Sequence, residues 1–186
     1  IDEVNTSIYC FRASVLGPAL RRLTPDNSQG EYYLTDVVAV LADAGYRVSA
    51  VSAADPADTI GVNDRLQLAV AEAELRRRTN DAWMRRGVTM VDPARTYVDA
   101  TVVLGSDVTL FPGTILQGEC VVGDGAEIGP DTRLVDCVVG HRSTVEVTVG
   151  RGARIGDDVV LGPFASLGPG SVVPAGTTSG PFYTSP

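Results

Sequence analysis

Across the second half of the chain an aliphatic residue returns almost every six positions: Leu104, Leu110, Leu116, Val122, Ile128, Leu134, Val139, Val145, Val149, Ile155, Leu161, Leu167 and Val173. The spacing slips twice, after Leu134 and after Val145, and the slips are expected to mark loops or bulges. Four places after the aliphatic sits a small or β-branched residue: Val108, Thr114, Cys120, Ala126, Thr132, Ser143, Ala153, Val159, Ala165 and Ser171. A period of six suits neither the 3.6 of an α-helix nor a simple alternating strand. It is the signature of a parallel β-helix of hexapeptide repeats.

The pattern has a physical reading. Each hexad gives a short strand and a turn, three hexads make a triangular coil, and coils stack at about 4.8 Å. The aliphatic side chain points inward and the small one fits the corner. Glycine, proline and aspartate supply turn conformations that bulky residues resist. The glycines of the repeat, Gly168 included, therefore read as structural. Gly123-Asp124-Gly125 is not read as a phosphate loop, because such a loop occurs once, ahead of a helix.

Composition excludes some functions. A net charge of -8 argues against nucleic-acid or anionic-membrane partners. No apolar run is long enough to span a bilayer. Cys10, Cys120 and Cys137 are odd in number and not in metal-type spacing, and read as buried thiols of a cytosolic protein. All 15 basic residues are arginine.

The first half is patterned differently. Val4 to Phe11 and Arg47 to Val51 read as strands, and Ser14 to Leu23 as a helix. Thr35 is expected to cap a helix over Asp36 to Ala44, stopped by Gly45. Asn63 is expected to cap a long helix from Asp64 to about Arg86, with Leu66, Ala69, Val70 and Ala73 on its apolar side. Arg76, Arg77, Arg78, Arg85 and Arg86 read as a solvated helix face rather than a binding patch. The fold class is thus an α/β fragment, a long linker helix and a hexapeptide β-helix. The expected bounds are 1–62 for the closing part of an α/β domain, 63–87 for the linker helix and 88–186 for the rod.

Four segments precede the repeats in a telling order: Glu3-Val4-Asn5-Thr6, Gly30-Glu31-Tyr32-Tyr33-Leu34-Thr35-Asp36, Gly61-Val62-Asn63-Asp64-Arg65-Leu66-Gln67-Leu68, and Gly87-Val88 leading to Asp92-Pro93-Ala94-Arg95. With the repeats, they resemble the bacterial bifunctional UDP-N-acetylglucosamine pyrophosphorylase / glucosamine-1-phosphate N-acetyltransferase family. The resemblance implies that the α/β part closes a Rossmann-like nucleotidyltransferase domain and that the β-helix is left-handed. It also implies a cytoplasmic homotrimer that acetylates glucosamine-1-phosphate with acetyl-CoA. Mg²⁺-dependent uridylyl transfer from UTP to N-acetylglucosamine-1-phosphate then gives UDP-N-acetylglucosamine.

Two site residues carry over by resemblance. Asn5 matches the asparagine that hydrogen-bonds the UDP-sugar, a task suited to an amide with both donor and acceptor. Ser7 stands where the family commonly has glycine. Asn63 matches the asparagine that helps hold Mg²⁺ and contacts the nucleotide-sugar, its carbonyl oxygen being a hard ligand. No catalytic residue carries over. The family's glycine-rich loop, catalytic basic residues and metal-binding aspartate are expected upstream of residue 1. In the acetyl site the family's Leu-Arg-Pro-Gly turn is here Leu167-Gly168-Pro169-Gly170, lysines are absent, and His141 reads as a turn residue. The chain alone is expected to be inactive. Alternatives are a single-function sugar-1-phosphate nucleotidyltransferase with a shortened rod, and a non-catalytic trimerisation rod. A hexapeptide carbonic anhydrase would need several zinc-binding histidines, and this chain has one.

Overall fold

The structure, a computed structural model, describes residues 3–185. Its contacts divide the chain between Asn63 and Asp64 into two units.

The second unit contains the rod. Three five-stranded parallel sheets form its faces. The first stacks Thr89–Met90, Thr109–Leu110, Glu127–Ile128, Thr144–Val145 and Val160–Leu161. The second stacks Tyr97–Val98, Ile115–Gln117, Arg133–Val135, Val149–Arg151 and Ser166–Leu167. The third stacks Val103–Leu104, Val121–Val122, Val138–Val139, Arg154–Ile155 and Val172–Val173. Each strand lies one coil from its partner, so Leu116 sits between Val98 and Leu134 in register.

The repeating unit is a small residue and, two positions on, a large one, both turned inward by the period of a strand. Cys120 and Val122, Ala126 and Ile128, and Val159 and Leu161 are such pairs, all buried. Full burial of a Leu, Ile or Val contributes about 1.5–3 kcal/mol. The buried hydroxyls are satisfied within the coil or by the next one: Thr114 Oγ1 donates to the Ile128 carbonyl at 3.0 Å and Ser143 Oγ to that of Gly156 at 2.8 Å.

This geometry corrects the expected register at one place. Val149 points outward, and Gly150 holds the interior position between Leu134 and Leu167. A Cβ at Gly150 would lie 2.9 Å from Leu134 Cδ2 and 3.3 Å from Cys137 Sγ, so its neighbours already fill the space. The slips are not loops or bulges. They are turns shortened by one residue, after Leu134, Val145 and Gly150, turning through positive φ at Asp136, Val147 and Gly152. The small members of the pairs that follow are Cys137, Thr148 and Ala153, all buried.

A long helix, Arg65–Met84, packs against the first strands of the rod. Its N-cap is Asp64, whose Oδ1 accepts the Gln67 N–H at 2.7 Å, and not Asn63 as the sequence suggested. The expected apolar side is not a core face: Leu66 and Val70 are exposed, and the buried contact is made by Asn80, with Trp83 and Met84 half-buried against the core. Asn80 Nδ2 donates to the carbonyls of Pro93 and Thr96, pinning the helix to the first coil, while its buried Oδ1 has no partner among the described residues. Arg77 and Arg78 pair with Glu74, and Arg77 also with Asp81, as on a charged helix face. Arg76 departs from the solvated reading: its side chain is mostly buried and its guanidinium lies over the Tyr97 ring, 4.3 Å from the centroid.

The first unit contains two short helices, Ala13–Leu20 and Asp36–Asp43, around a small cluster of Ala19, Val37 and Leu41. Thr35 does not cap the second helix, being itself in helical conformation. The stop at Gly45 is as expected: Gly45 turns through φ 79° while its N–H and that of Tyr46 bond back to Ala42 and Leu41. Neither expected strand forms. Residues 4–11 and 47–51 join no sheet, and Val4 and Val51 are largely exposed. Extended, apolar sequence becomes a strand only where another backbone completes its ladder, and no described residue does so here.

Candidate functional site

Asn5 lies in the first of these extended segments. Its Oδ1 accepts the Ser7 N–H at 2.9 Å and its Nδ2 donates to Tyr9 Oη at 2.6 Å. Both ends of the amide are thus anchored, and one N–H and one lone pair remain for a ligand. The turn forces Ser7 to φ 60°, a left-handed conformation that favours glycine. This explains why the resembling family commonly has glycine there. Asn5 lines an open groove together with Tyr9, Arg12, Tyr46, Arg47 and Thr59. The motif reading passed over Tyr9, Arg12 and Arg47. A tyrosine four places beyond Asn5 was the only available signal, since lining a groove is not encoded in local spacing.

Asn63 is exposed and is not among the residues lining that groove. With Asp64 as the cap, capping does not explain Asn63. Its carbonyl oxygen would suit Mg²⁺, but that ion takes about six oxygen ligands. Among the described residues no group of three or more His, Cys, Asp or Glu could hold a metal.

The rod holds Gly168 and His141, the two positions set against the resembling family's acetyl-transfer motifs above. Gly168 is exposed, its φ is ordinary, and a Cβ there would meet nothing within 4 Å. It is not a structural glycine, contrary to expectation. By contrast, a Cβ at Gly140 would run into the Gly156 backbone one coil away. His141 is half-exposed in a turn, as expected. Beside it Arg142 makes a bidentate pair with Asp158 at 2.7 Å, which holds the Asp158 carboxyl below its usual range. Cys120 and Cys137 are free and buried, and burial raises the Cys120 thiol above its usual range, leaving it unreactive. Cys10 is exposed, against expectation. No helix among the described residues is long and apolar enough to cross a membrane.

A triangular stack of five coils with small-x-aliphatic pairs defines a hexapeptide-repeat β-solenoid, the architecture of the hexapeptide transferases. The particular family follows from sequence. The chain is 50% identical over 183 residues to the bifunctional protein GlmU of Pseudarthrobacter chlorophenolicus, covering 98% of this chain and 37% of that protein. It is 48% identical over 181 residues to that of Corynebacterium glutamicum, covering 97% and 37%, and 42% identical over 173 residues to that of Halalkalibacterium halodurans, covering 93% and 38%. The chain belongs to the bifunctional GlmU family and spans a little over a third of the length of these relatives. No family model matches the chain. Among solved structures, a hexapeptide transferase family protein from Anaplasma phagocytophilum is similar at 20% identity and TM-score 0.33, over 55% of this chain and 76% of that one. So distant a likeness adds nothing to the coil geometry already described.

Proposed function

We propose that this chain is the middle portion of a bifunctional enzyme of UDP-N-acetylglucosamine synthesis, joining the end of a uridylyl-transfer domain to the first coils of an acetyl-transfer rod. The observation that carries this reading is the 50% identity to a bifunctional protein GlmU over 98% of the chain. The parent acetylates glucosamine-1-phosphate with acetyl-CoA and then, with Mg²⁺, transfers a uridylyl group from UTP, in the cytoplasm. Asn5 binds the UDP-sugar through the amide N–H and lone pair left by its turn. Asn63 adds one oxygen to a Mg²⁺ site completed by residues outside this chain. Acetyl transfer is also completed elsewhere, since this segment has no lysine and bears glycine at position 168.

The parent is a homotrimer on this reading. One rod face bears Val103, Val121, Val138 and Val172 outward, each 39–60% exposed and interrupted in register only by Arg154, which supports burial against other copies. Gly168 favours a second reading, a single-function nucleotidyltransferase with a shortened rod, because the fold would accept an arginine there and the sequence does not supply it.

The test uses the whole parent protein beside the isolated chain. Asn63→Ala should lower Mg²⁺-dependent uridylyl transfer and shift its Mg²⁺ titration, and a wild-type titration would remove the assignment. Acetyl transfer by the isolated chain would show that its own residues suffice and would overturn the division of labour.

A further inference from the structure

One corner of the rod, where the third sheet passes into the first, carries a continuous side-chain ladder. The Ser106 N–H donates to Asp124 Oδ1 at 2.8 Å. One coil on, the Asp124 N–H donates to His141 Nδ1 at 3.0 Å. One coil further, the His141 N–H donates to Asp157 Oδ1 at 2.8 Å. Each side chain thus accepts the amide of the preceding coil. Two of the three acceptors are carboxylates, and the middle one is the only histidine in the chain.

That substitution has a chemical consequence. An imidazole nitrogen accepts a hydrogen bond only while it carries no proton, so the rung requires neutral His141 with its hydrogen on Nε2. The charge of imidazole, unlike that of aspartate, commonly changes between about pH 5 and 8. Once protonated, Nδ1 is a donor and repels the Asp124 amide it formerly accepted. A second partner is already in place: Asp124 Oδ2 lies 3.5 Å from the same nitrogen. Of the other charged groups at this corner, Asp157 accepts the His141 amide, Asp158 pairs with Arg142, and Asp107 lies in the turn of the first coil. Both His141 and Asp124 are at least half-exposed, so protons reach the site freely.

We propose that His141 is a proton-operated rung in this corner ladder, accepting the Asp124 amide when neutral and donating to the Asp124 carboxylate when protonated. Mild acid thereby exchanges the amide-to-imidazole bond at this corner for an ion pair between the same two residues, while the Arg142 N–H stays on the Asp124 carbonyl at 2.9 Å and the aspartate rungs above and below stay closed. The inference rests on turn geometry and stands independently of the proposed enzyme activity.

The experiment is ¹⁵N NMR of the full chain, in which a single histidine leaves no ambiguity of assignment. At neutral pH the imidazole should show the Nε2–H tautomer, and the Nδ1–H tautomer would overturn the proposal. His141→Asn supplies a short oxygen acceptor like that of Asp124 and Asp157, and cannot titrate. Through the imidazole titration, exchange protection of the Asp124 amide should fall about 3- to 10-fold in the wild type relative to this variant, the range expected for one hydrogen bond. A constant ratio of protection would also overturn it. The tautomer reading keeps the proposal testable should the variant fold poorly.

Discussion

The rod and residues 3–63 have similarly apolar sequences but very different interiors. In the rod the inward aliphatic residues stack coil on coil, with Gly150 the exception between Leu134 and Leu167, and one cluster of buried residues runs from Val88 to Val173. In the first unit the buried cluster is Ala19, Val37 and Leu41, while Val4, Ile8 and Val51 stay exposed. The difference lies in where each segment finds its partner. A hexad is completed by a residue about 16 to 18 positions away, within the same repeat array. An α/β strand is completed by whichever strand the topology places beside it, and no described residue plays that part for residues 4–11 or 47–51. A repeat is therefore self-sufficient in short lengths where an α/β segment is not.

Hydrogen exchange gives the widest test of this contrast. Amides of the inter-coil ladder, such as Val121 bonded to Cys137, should exchange orders of magnitude more slowly than those of residues 4–11 and 47–51. Equal rates would mean that the first unit has order beyond what is described here.

A core truncation ranks next. Leu116→Ala, at a fully buried site, should destabilise the rod by about 3–5 kcal/mol in denaturant unfolding. Leu66→Ala, on the exposed side of the long helix, should change it by less than about 0.5 kcal/mol. A large effect at Leu66 would restore the apolar helix face that its spacing suggested.

Two smaller effects concern single backbone positions. Asp64→Ala should lower stability by about 1 kcal/mol through loss of the cap, with Asn63→Ala having little effect on folding. Ser7→Gly should relieve a left-handed conformation worth about 1–2 kcal/mol and, by freeing the turn at Asn5, rigidify nothing in the rod. Matching thermal scans of both variants would separate the two units.

The smallest effect is set by pH. Hydrogen bonds from Arg77 and Arg78 lower the Glu74 carboxyl from 4.5 to about 2. A depressed carboxyl stabilises the folded helix fully above its unfolded value. That contribution declines as pH falls from about 4.5 and is gone below about 2. Circular dichroism of the long helix should be flat down to about pH 5 and then fall slightly more in the wild type than in Glu74→Gln. Identical acid profiles would show that solvent screens this exposed cluster completely.

The six-residue period by itself determined the rod, because side-chain size and turn chemistry repeat at the spacing at which backbones pair. It also made His141 a turn residue, while Asn5 and Asn63, outside the repeat, were marked only by motifs that resemble the family's. Tertiary structure decided everything that depends on a neighbour distant in sequence. Only the stacked coils show that Gly150, and not Val149, faces Leu134 and Leu167, since a shortened turn shifts the register without changing local composition. Only they separate Gly140, closed in by Gly156, from Gly168, which is free. The interior assignment of a residue follows from what packs against it, and sequence spacing predicts that only while every turn has the same length.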